Sequence, residues 1–200
     1  MTDTPLTVAA VVLAAGRSAR MGEVNKLLID IDGMAMIRRT VERVSASGAA
    51  PIIVVTGHEP DRIRAALSGC DVQFIHNEEF AQGLSTSLKR GLHAVPADAA
   101  GAVICLGDMP ALSARHIARL IDAFHDHRGE AICVPVHRGR RGNPVLWPRR
   151  FFSEMQSLSG DTGAKSLIER NRAHVADVEM ADEGVLRDID TPEDLKKFWT

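Results

Sequence analysis

The chain lacks any strong imbalance of charge: 24 Lys and Arg stand against 26 Asp and Glu, a formal net charge of −2. No global field draws it to nucleic acid or anionic lipid, so a phosphate site has to be built locally. Cysteine is scarce, three in all, and Cys70, Cys105 and Cys133 form neither a CxxC nor any metal-ligand spacing. Cys105 and Cys133 lie in apolar runs that read as buried strands, where a free thiol behaves as a small hydrophobe; a cytoplasmic, reducing compartment is expected. No apolar run approaches membrane-spanning length, and residues 1–7 carry no basic segment ahead of the first apolar stretch. Neither secretion nor membrane insertion is expected. Internal repeats, low-complexity tracts and long linkers are missing too. So are GxGxxG and GxxxxGK[ST], because Gly16 and Gly22 stand alone, which argues against an NAD-dependent oxidoreductase and against a P-loop. There is no recognisable Ser/His/Asp or Cys/His constellation.

What is present is an apolar content of 45% over 200 residues, enough for a sizeable core in one α/β domain spanning 1–200. Residues 8–14 form a near-continuous apolar run, the mark of a strand buried on both faces. Residues 52–56, 72–76, 102–106 and 132–136 repeat it. Between them the spacing predicts helices over 36–47, 61–67 (with Pro60 in the first turn), 87–95 and 114–127, the last with Ser113 as N-cap. Strand–helix alternation implies a mostly parallel sheet covered on both faces. After Ala131 the rhythm changes: a strand, a Gly/Arg-rich turn over 138–142, a strand at 145–147 and a short helix suggest an antiparallel excursion.

Three places carry chemistry. The first strand runs into Leu13-Ala14-Ala15-Gly16, followed by Arg20-Met21-Gly22 and Lys26. Small residues at a strand's C-terminal end let backbone N–H groups approach a ligand, and Arg20 and Lys26 place positive charge where a triphosphate would lie. Read alone, this is also an ordinary glycine-bearing turn. Gly107-Asp108-Met109-Pro110 directly follows the strand 102–106, so Asp108 projects at the same sheet edge. Mg²⁺ takes one or two carboxylates with phosphate oxygens and water, and Asp108 suits it. In Asp188-Ile189-Asp190-Thr191-Pro192-Glu193-Asp194, a helix start explains Thr191 to Asp194: Thr191 as N-cap and Pro192 at the first position. Asp190 precedes the cap and needs another reason.

These pieces, with residues 77–88, 139–148, 160–165 and 188–195, resemble in order and spacing the nucleotidylyltransferases of Rossmann-like fold, and above all the molybdopterin guanylyl- and cytidylyltransferases. The resemblance implies a three-layer α/β fold with a mostly parallel central sheet and a short antiparallel excursion. It implies a nucleotide site on Leu13, Ala14, Ala15, Gly16, Lys26 and Asp108, walled by Asn77, Gly83 and Ser85, although 85–87 also read as simple helix capping. It makes Asp190 the second Mg²⁺ ligand, with Asp188 as the alternative. It turns Arg141 and Asn143, in a turn otherwise read as solvated, toward the acceptor, with Asp161 and Lys165 closing over the same cleft. Trp147, Phe151 and Phe152 read as core.

The implied reaction is attack of an acceptor phosphate on the NTP α-phosphorus. A phosphate monoester, with a second pKa of about 6, needs no general base. Charge neutralisation and alignment by Mg²⁺, Arg20, Lys26 and Asp108 suffice. Ala15 stands where the guanylyl branch carries a second Gly; its methyl narrows the space beside the base. That implies CTP, with molybdopterin as acceptor and a molybdenum hydroxylase-type enzyme as recipient. The alternatives are a guanylyltransferase, a cytidylyltransferase for a sugar or polyol phosphate, and a non-catalytic cofactor-binding accessory protein. The chain offers no room for an appended acyltransferase domain.

Overall fold

The structure, a computed structural model, describes residues 6–18, 21, 24–160 and 164–198. Its axis is β1 (Val8–Ala14), buried along the whole of its length. Alternate side chains of a strand face opposite ways, and β1 accordingly feeds two cores. Val8, Ala10, Val12 and Ala14 enter one; Ala9, Val11 and Leu13 enter the other. The remaining elements follow as β2 (Asp30–Ile31), β3 (Met34–Ala35), α1 (Met36–Ser45), β4 (Ile52–Thr56), α2 (Pro60–Ala66) and β5 (Gln73–His76). Then come α3 (Leu84–His93), β6 (Gly101–Leu106), α4 (Ala114–Asp126), β7 (Ile132–His137), β8 (Arg140–Arg141) and β9 (Val145–Pro148). The chain closes with α5 (Phe152–Gln156), α6 (Lys165–Arg170), β10 (Val175–Glu179) and α7 (Pro192–Phe198).

The main sheet runs in the order β10-β7-β9-β6-β1-β4-β5, with β8 added on β7. β1 lies parallel to β4 and β6, β4 to β5, and β10 to β7. β9 alone in that path runs against its neighbours, β6 and β7, and it is the expected antiparallel excursion. One face carries α1, α2 and α4, through Ile37, Val41, Ile63, Ile117 and Leu120; the other carries α3, α5 and α6, through Leu88, Leu92, Met155 and Leu167. The architecture is thus three layers, helices on both sides of a mostly parallel sheet. Trp147, Phe151 and Phe152 are buried in the second core, as expected. Burial of Cys105 and Cys133 pushes both thiols up to about 12, leaving them inert at neutral pH.

Ser113 caps α4 as expected: its Oγ accepts from the N–H of His116 at 3.3 Å, and His116 Nδ1 accepts from the N–H of Ser113 at 3.2 Å, a reciprocal box with an imidazole in the usual Glu place. Two elements were not foreseen. Asp32 and Gly33, at φ 55° and 83°, turn β2 into β3 in the conformation that a tight two-residue hairpin demands. β10 forms the edge beyond β7. Among the described residues no helix is long and apolar enough to cross a membrane.

Candidate active site

The parallel strands β1, β4 and β6 end at one edge, where ligands of open α/β sheets are held. A cleft of about 580 Å³ opens there, lined by Leu13, Ala15, Gly16, Lys26, Asp108 and Asp190 among others. Backbone bonds fix its floor. The N–H of Gly107 donates to Leu13 O (3.0 Å) and that of His58 to Ala15 O (3.1 Å), so the first loop is stitched to the ends of both neighbouring strands. A Cβ at Gly107 would stand 2.9 Å from Ile37 Cδ1 and 3.1 Å from Leu13 O, so glycine is what lets the chain turn toward Asp108 there.

Lys26 opens a short 3₁₀ turn, Lys26–Leu28, capped by Asn25, whose side chain accepts from the N–H of Leu27. Its own N–H donates to Ser18 Oγ at 3.1 Å. The side chain reaches across the cleft: Nζ lies 2.5 Å from Asp108 Oδ2 and 2.6 Å from Asp190 Oδ1. Asp190 is brought in by the segment before α7. The N–H of Ile189 donates to the carbonyl of Asp108 at 3.0 Å, and the Ile189 side chain is buried beside Ile31 and Met36. With Ile189 turned inward, its neighbours Asp188 and Asp190 both border the cleft. The N–H groups of Asp190 and Thr191 donate to Asp194 Oδ2, while Thr191 Oγ1 accepts from the N–H of Asp194. This cap holds the segment in place at the start of α7 and keeps the Asp194 carboxyl below its usual range, chiefly through Thr191.

The electrostatics follow from burial. Removal from water would lower the Lys26 pKa, but the charges and hydrogen bonds of Asp108 and Asp190 outweigh that and hold it above the ordinary lysine value. Burial raises the Asp108 pKa, Lys26 opposes the rise, and the nearby carboxylates of Asp188 and Asp190 add to it. Among the described residues, the Lys26 ammonium therefore bridges the carboxylates of Asp108 and Asp190, with that of Asp188 nearby. Asp108 Oδ1 is buried and, among the described residues, has no hydrogen-bond partner. A buried carboxylate oxygen without a donor is costly, and a cation is what would satisfy it. Among the described residues no cluster of three or more His, Cys, Asp or Glu side chains could hold a metal ion unaided.

A profile of the MobA-like NTP transferase domain matches residues 10–176. The chain belongs to this family. It is 28% identical over 189 residues to the molybdenum cofactor cytidylyltransferase of Escherichia coli K12, covering 92% of each chain. It is 29% identical over 196 residues to a probable molybdenum cofactor guanylyltransferase of Natronomonas pharaonis, covering 94% of each. Crystal structures of Rv0371c from Mycobacterium tuberculosis H37Rv superpose with TM-scores of 0.84, at 28% identity and 97% of each chain, and, for its manganese complex, 0.79, at 27% identity and 96% and 97% coverage. The protein is a nucleotidyltransferase by family, built on the Rossmann-like fold that its residues implied.

As a MobA-like transferase, it brings Leu13, Ala15, Gly16, Lys26, Gly83 and Asp108 of the expected nucleotide site to one cleft. Three expected residues are placed otherwise. Ala14 points into the core below the loop. Asn77 is fully buried: its amide donates to Thr86 Oγ1 (2.9 Å) and Ser87 Oγ (3.0 Å), and its Oδ1 accepts from the N–H of Glu79. It braces the loop behind the cleft and does not itself line the cleft. Ser85 is buried too, its N–H donating to Gly160 O. Arg20 and Asp161 lie outside the described residues. Arg141 and Asn143 border a neighbouring chamber, with Lys165. There Arg141 is already forked onto Asp177, Nε to Oδ1 at 2.9 Å and Nη2 to Oδ2 at 3.2 Å. Sequence reasoning missed Phe80 and Arg17. Phe80 lines the cleft and the Arg17 guanidinium sits 5.3 Å from its ring centroid, a stacked cation beside the phosphate loop.

Proposed function

We propose that this transferase moves CMP from CTP onto the terminal phosphate of molybdopterin, releasing pyrophosphate. An oxygen of the acceptor phosphate forms the new bond to the α-phosphorus, and the bond from that phosphorus to the bridging oxygen of the β-phosphate breaks. No proton has to be removed, because the attacking phosphate is already ionised near neutral pH. The observation that carries the reading is the meeting of Lys26, Asp108 and Asp190 at the foot of a loop of small residues, with Asp108 Oδ1 buried and unpartnered.

In this reading Asp108 and Asp190 hold Mg²⁺, which would supply charge neutralisation beside the reacting phosphate. Lys26 leaves the carboxylates for the β- and γ-phosphates, and Arg20 shares the departing charge. Backbone N–H groups of the loop at Ala15 and Gly16 cradle the phosphates. Ala15 lines the cleft. The methyl it adds to the loop, where the guanylyl branch carries glycine, supports the smaller pyrimidine base. Near-equal identity to a cytidylyl- and a guanylyltransferase does not separate the two nucleotides, so the base preference rests on this steric argument.

The deciding experiment measures pyrophosphate release with CTP, GTP, ATP and UTP in parallel, molybdopterin and Mg²⁺ present, for the native protein and Asp108→Ala. CTP-dependent release lost in the variant supports the proposal. A GTP preference makes it a guanylyltransferase; nucleotide binding without release from any NTP makes it an accessory protein.

A further inference from the structure

Helix α1 turns one stripe of side chains into the core: Met36, Ile37, Thr40, Val41 and Val44. Four are apolar, as a helix packed on a sheet requires. The fifth carries a hydroxyl, and Thr40 is completely buried. Burying a hydroxyl is unfavourable unless it is bonded, and a valine of nearly the same shape would fill the place without that penalty. Thr40 Oγ1 lies 3.2 Å from Met36 O and 3.2 Å from Gly107 O. The first belongs to its own helix, where the carbonyl of residue 36 already receives the N–H of residue 40. The second belongs to the turn that carries Asp108.

Every carbonyl of that turn has a donor. Gly107 O receives the Thr40 hydroxyl, Asp108 O the N–H of Ile189, Met109 O the N–H of Leu112, and Pro110 O the Nε–H of Arg39. Arg39 is held in turn by Asp32 of the β2–β3 hairpin, Nη1 to Oδ2 at 3.1 Å. Two successive residues of α1 thus grip the two ends of a four-residue turn. The carboxylate itself has fewer holds. Lys26 meets Oδ2, and Oδ1 has no hydrogen-bond partner among the described residues. The place of Oδ1 is therefore set largely by the backbone beneath it. Mg²⁺ demands near-octahedral oxygens at roughly 2.0–2.1 Å, so a small drift of the turn weakens its hold on the ion.

We propose that Thr40 is a positioning residue for the cation: its hydroxyl, with Arg39 in support, holds the Gly107–Pro110 turn so that Asp108 presents its buried oxygen. Neither side chain lines the cleft, so both act through Asp108. The proposal rests on the reading of Asp108 as a cation ligand.

Mn²⁺ binding without nucleotide, read by electron paramagnetic resonance of the free ion, tests it alongside urea melts. Thr40→Val keeps the shape and removes the donor; it should weaken Mn²⁺ by about tenfold, the lower end of what losing a partner behind a metal ligand does. Thr40→Ser keeps the donor and loses a methyl; it should melt earlier yet bind Mn²⁺ within about twofold of the native protein. Ser47→Ala removes a different hydroxyl, just beyond the other end of α1, that donates to Val44 O and accepts from the N–H of Ala49. It should also melt earlier, with Mn²⁺ binding unchanged. Native affinity in Thr40→Val, or a loss in Thr40→Ser or Ser47→Ala as large as that in Thr40→Val, would overturn the proposal. Should Thr40→Val fail to fold, Arg39→Met decides, because Arg39 is partly exposed. It should weaken Mn²⁺ by about threefold, as loss of one hydrogen bond does, and unchanged affinity would overturn the proposal. A native protein that binds no Mn²⁺, or binds it equally well after Asp108→Ala, would overturn the cation reading and this proposal together. Mn²⁺ held through Asp108 but indifferent to Thr40 would overturn this proposal alone.

Discussion

In the cleft at the sheet edge Asp108 keeps one carboxylate oxygen buried without a partner among the described residues, and the Lys26 ammonium bridges Asp108 and Asp190. At the rim of the neighbouring chamber the charges are matched: Arg141 is forked onto Asp177, and Glu169 is paired with Arg172. The two cavities share an apolar partition and differ in how they treat charge. A folded chain avoids burying an uncompensated carboxylate unless something else completes it. A bound cation would complete the carboxylates of the cleft, whereas Arg141 and Glu169 at the chamber's rim are already paired.

Six substitutions would break or sharpen that contrast. The largest effect is expected for Asp108→Ala: turnover falls by about a hundredfold or more, as when one electrostatic contact to the reacting group is lost, while the far-ultraviolet circular dichroism stays native. Lys26→Met should lower turnover by about tenfold or more. In the absence of nucleotide, however, it should bind Mn²⁺ several times more tightly, because the ammonium bridging Asp108 and Asp190 no longer competes. Electron paramagnetic resonance of free Mn²⁺ reads this directly, and unchanged affinity would mean that the ammonium does not hold the cation's place.

Asn77→Ala should cost about 2–3 kcal/mol of stability in urea melts, since Glu79, Thr86 and Ser87 all lose a buried partner. Loss of CTP affinity without loss of stability would return Asn77 to the ligand. Gly142→Ala should cost about 1–3 kcal/mol, because a Cβ there would stand 2.1 Å from Val185 O, whereas Gly16→Ala, with nothing within 4 Å, should melt within about 0.5 kcal/mol of the native protein. Any loss of activity in Gly16→Ala then reports on the approach of the ligand. A small effect is also expected for Arg141→Gln, whose half-exposed pair with Asp177 should be worth no more than about 1 kcal/mol.

The strands at the centre were legible because burial on both faces writes an unbroken apolar run. β1 and β4 match their expected limits, and β6 and β7 extend theirs by one residue. Edges and small hairpins were not. β10 reads Val-Ala-Asp-Val-Glu, half polar because one side faces solvent. The Asp32-Gly33 pair is a hairpin signal in its own right, but the strands it joins are two residues each, too short to show a period. At the site, Asp108 could be read because it directly follows an apolar strand at the sheet edge, and Lys26 because it follows the loop of small residues after the first strand. Asn77 misled for the same reason. A polar side chain in a polar loop looks available, and only the fold shows that it faces Thr86 and Ser87. The apolar walls of the neighbouring chamber, among them Leu88, Ile104, Trp147 and Ile168, were not legible in the sequence, whereas Arg141, Asn143 and Lys165 at its rim were singled out by the resemblance.

The reversal of β9 has an evolutionary consequence. Pairing of Val145 with Ile104 and of Pro148 with Gly101 brings the beginning of β9 to the rim where its parallel neighbours end. The exposed positions of the turn that precedes it, Arg141 and Asn143, can thus change their side chains at the chamber's rim without shifting the register of β1 against β6. A lineage could acquire a new acceptor by editing that one turn while its nucleotide-handling half stays as it was inherited.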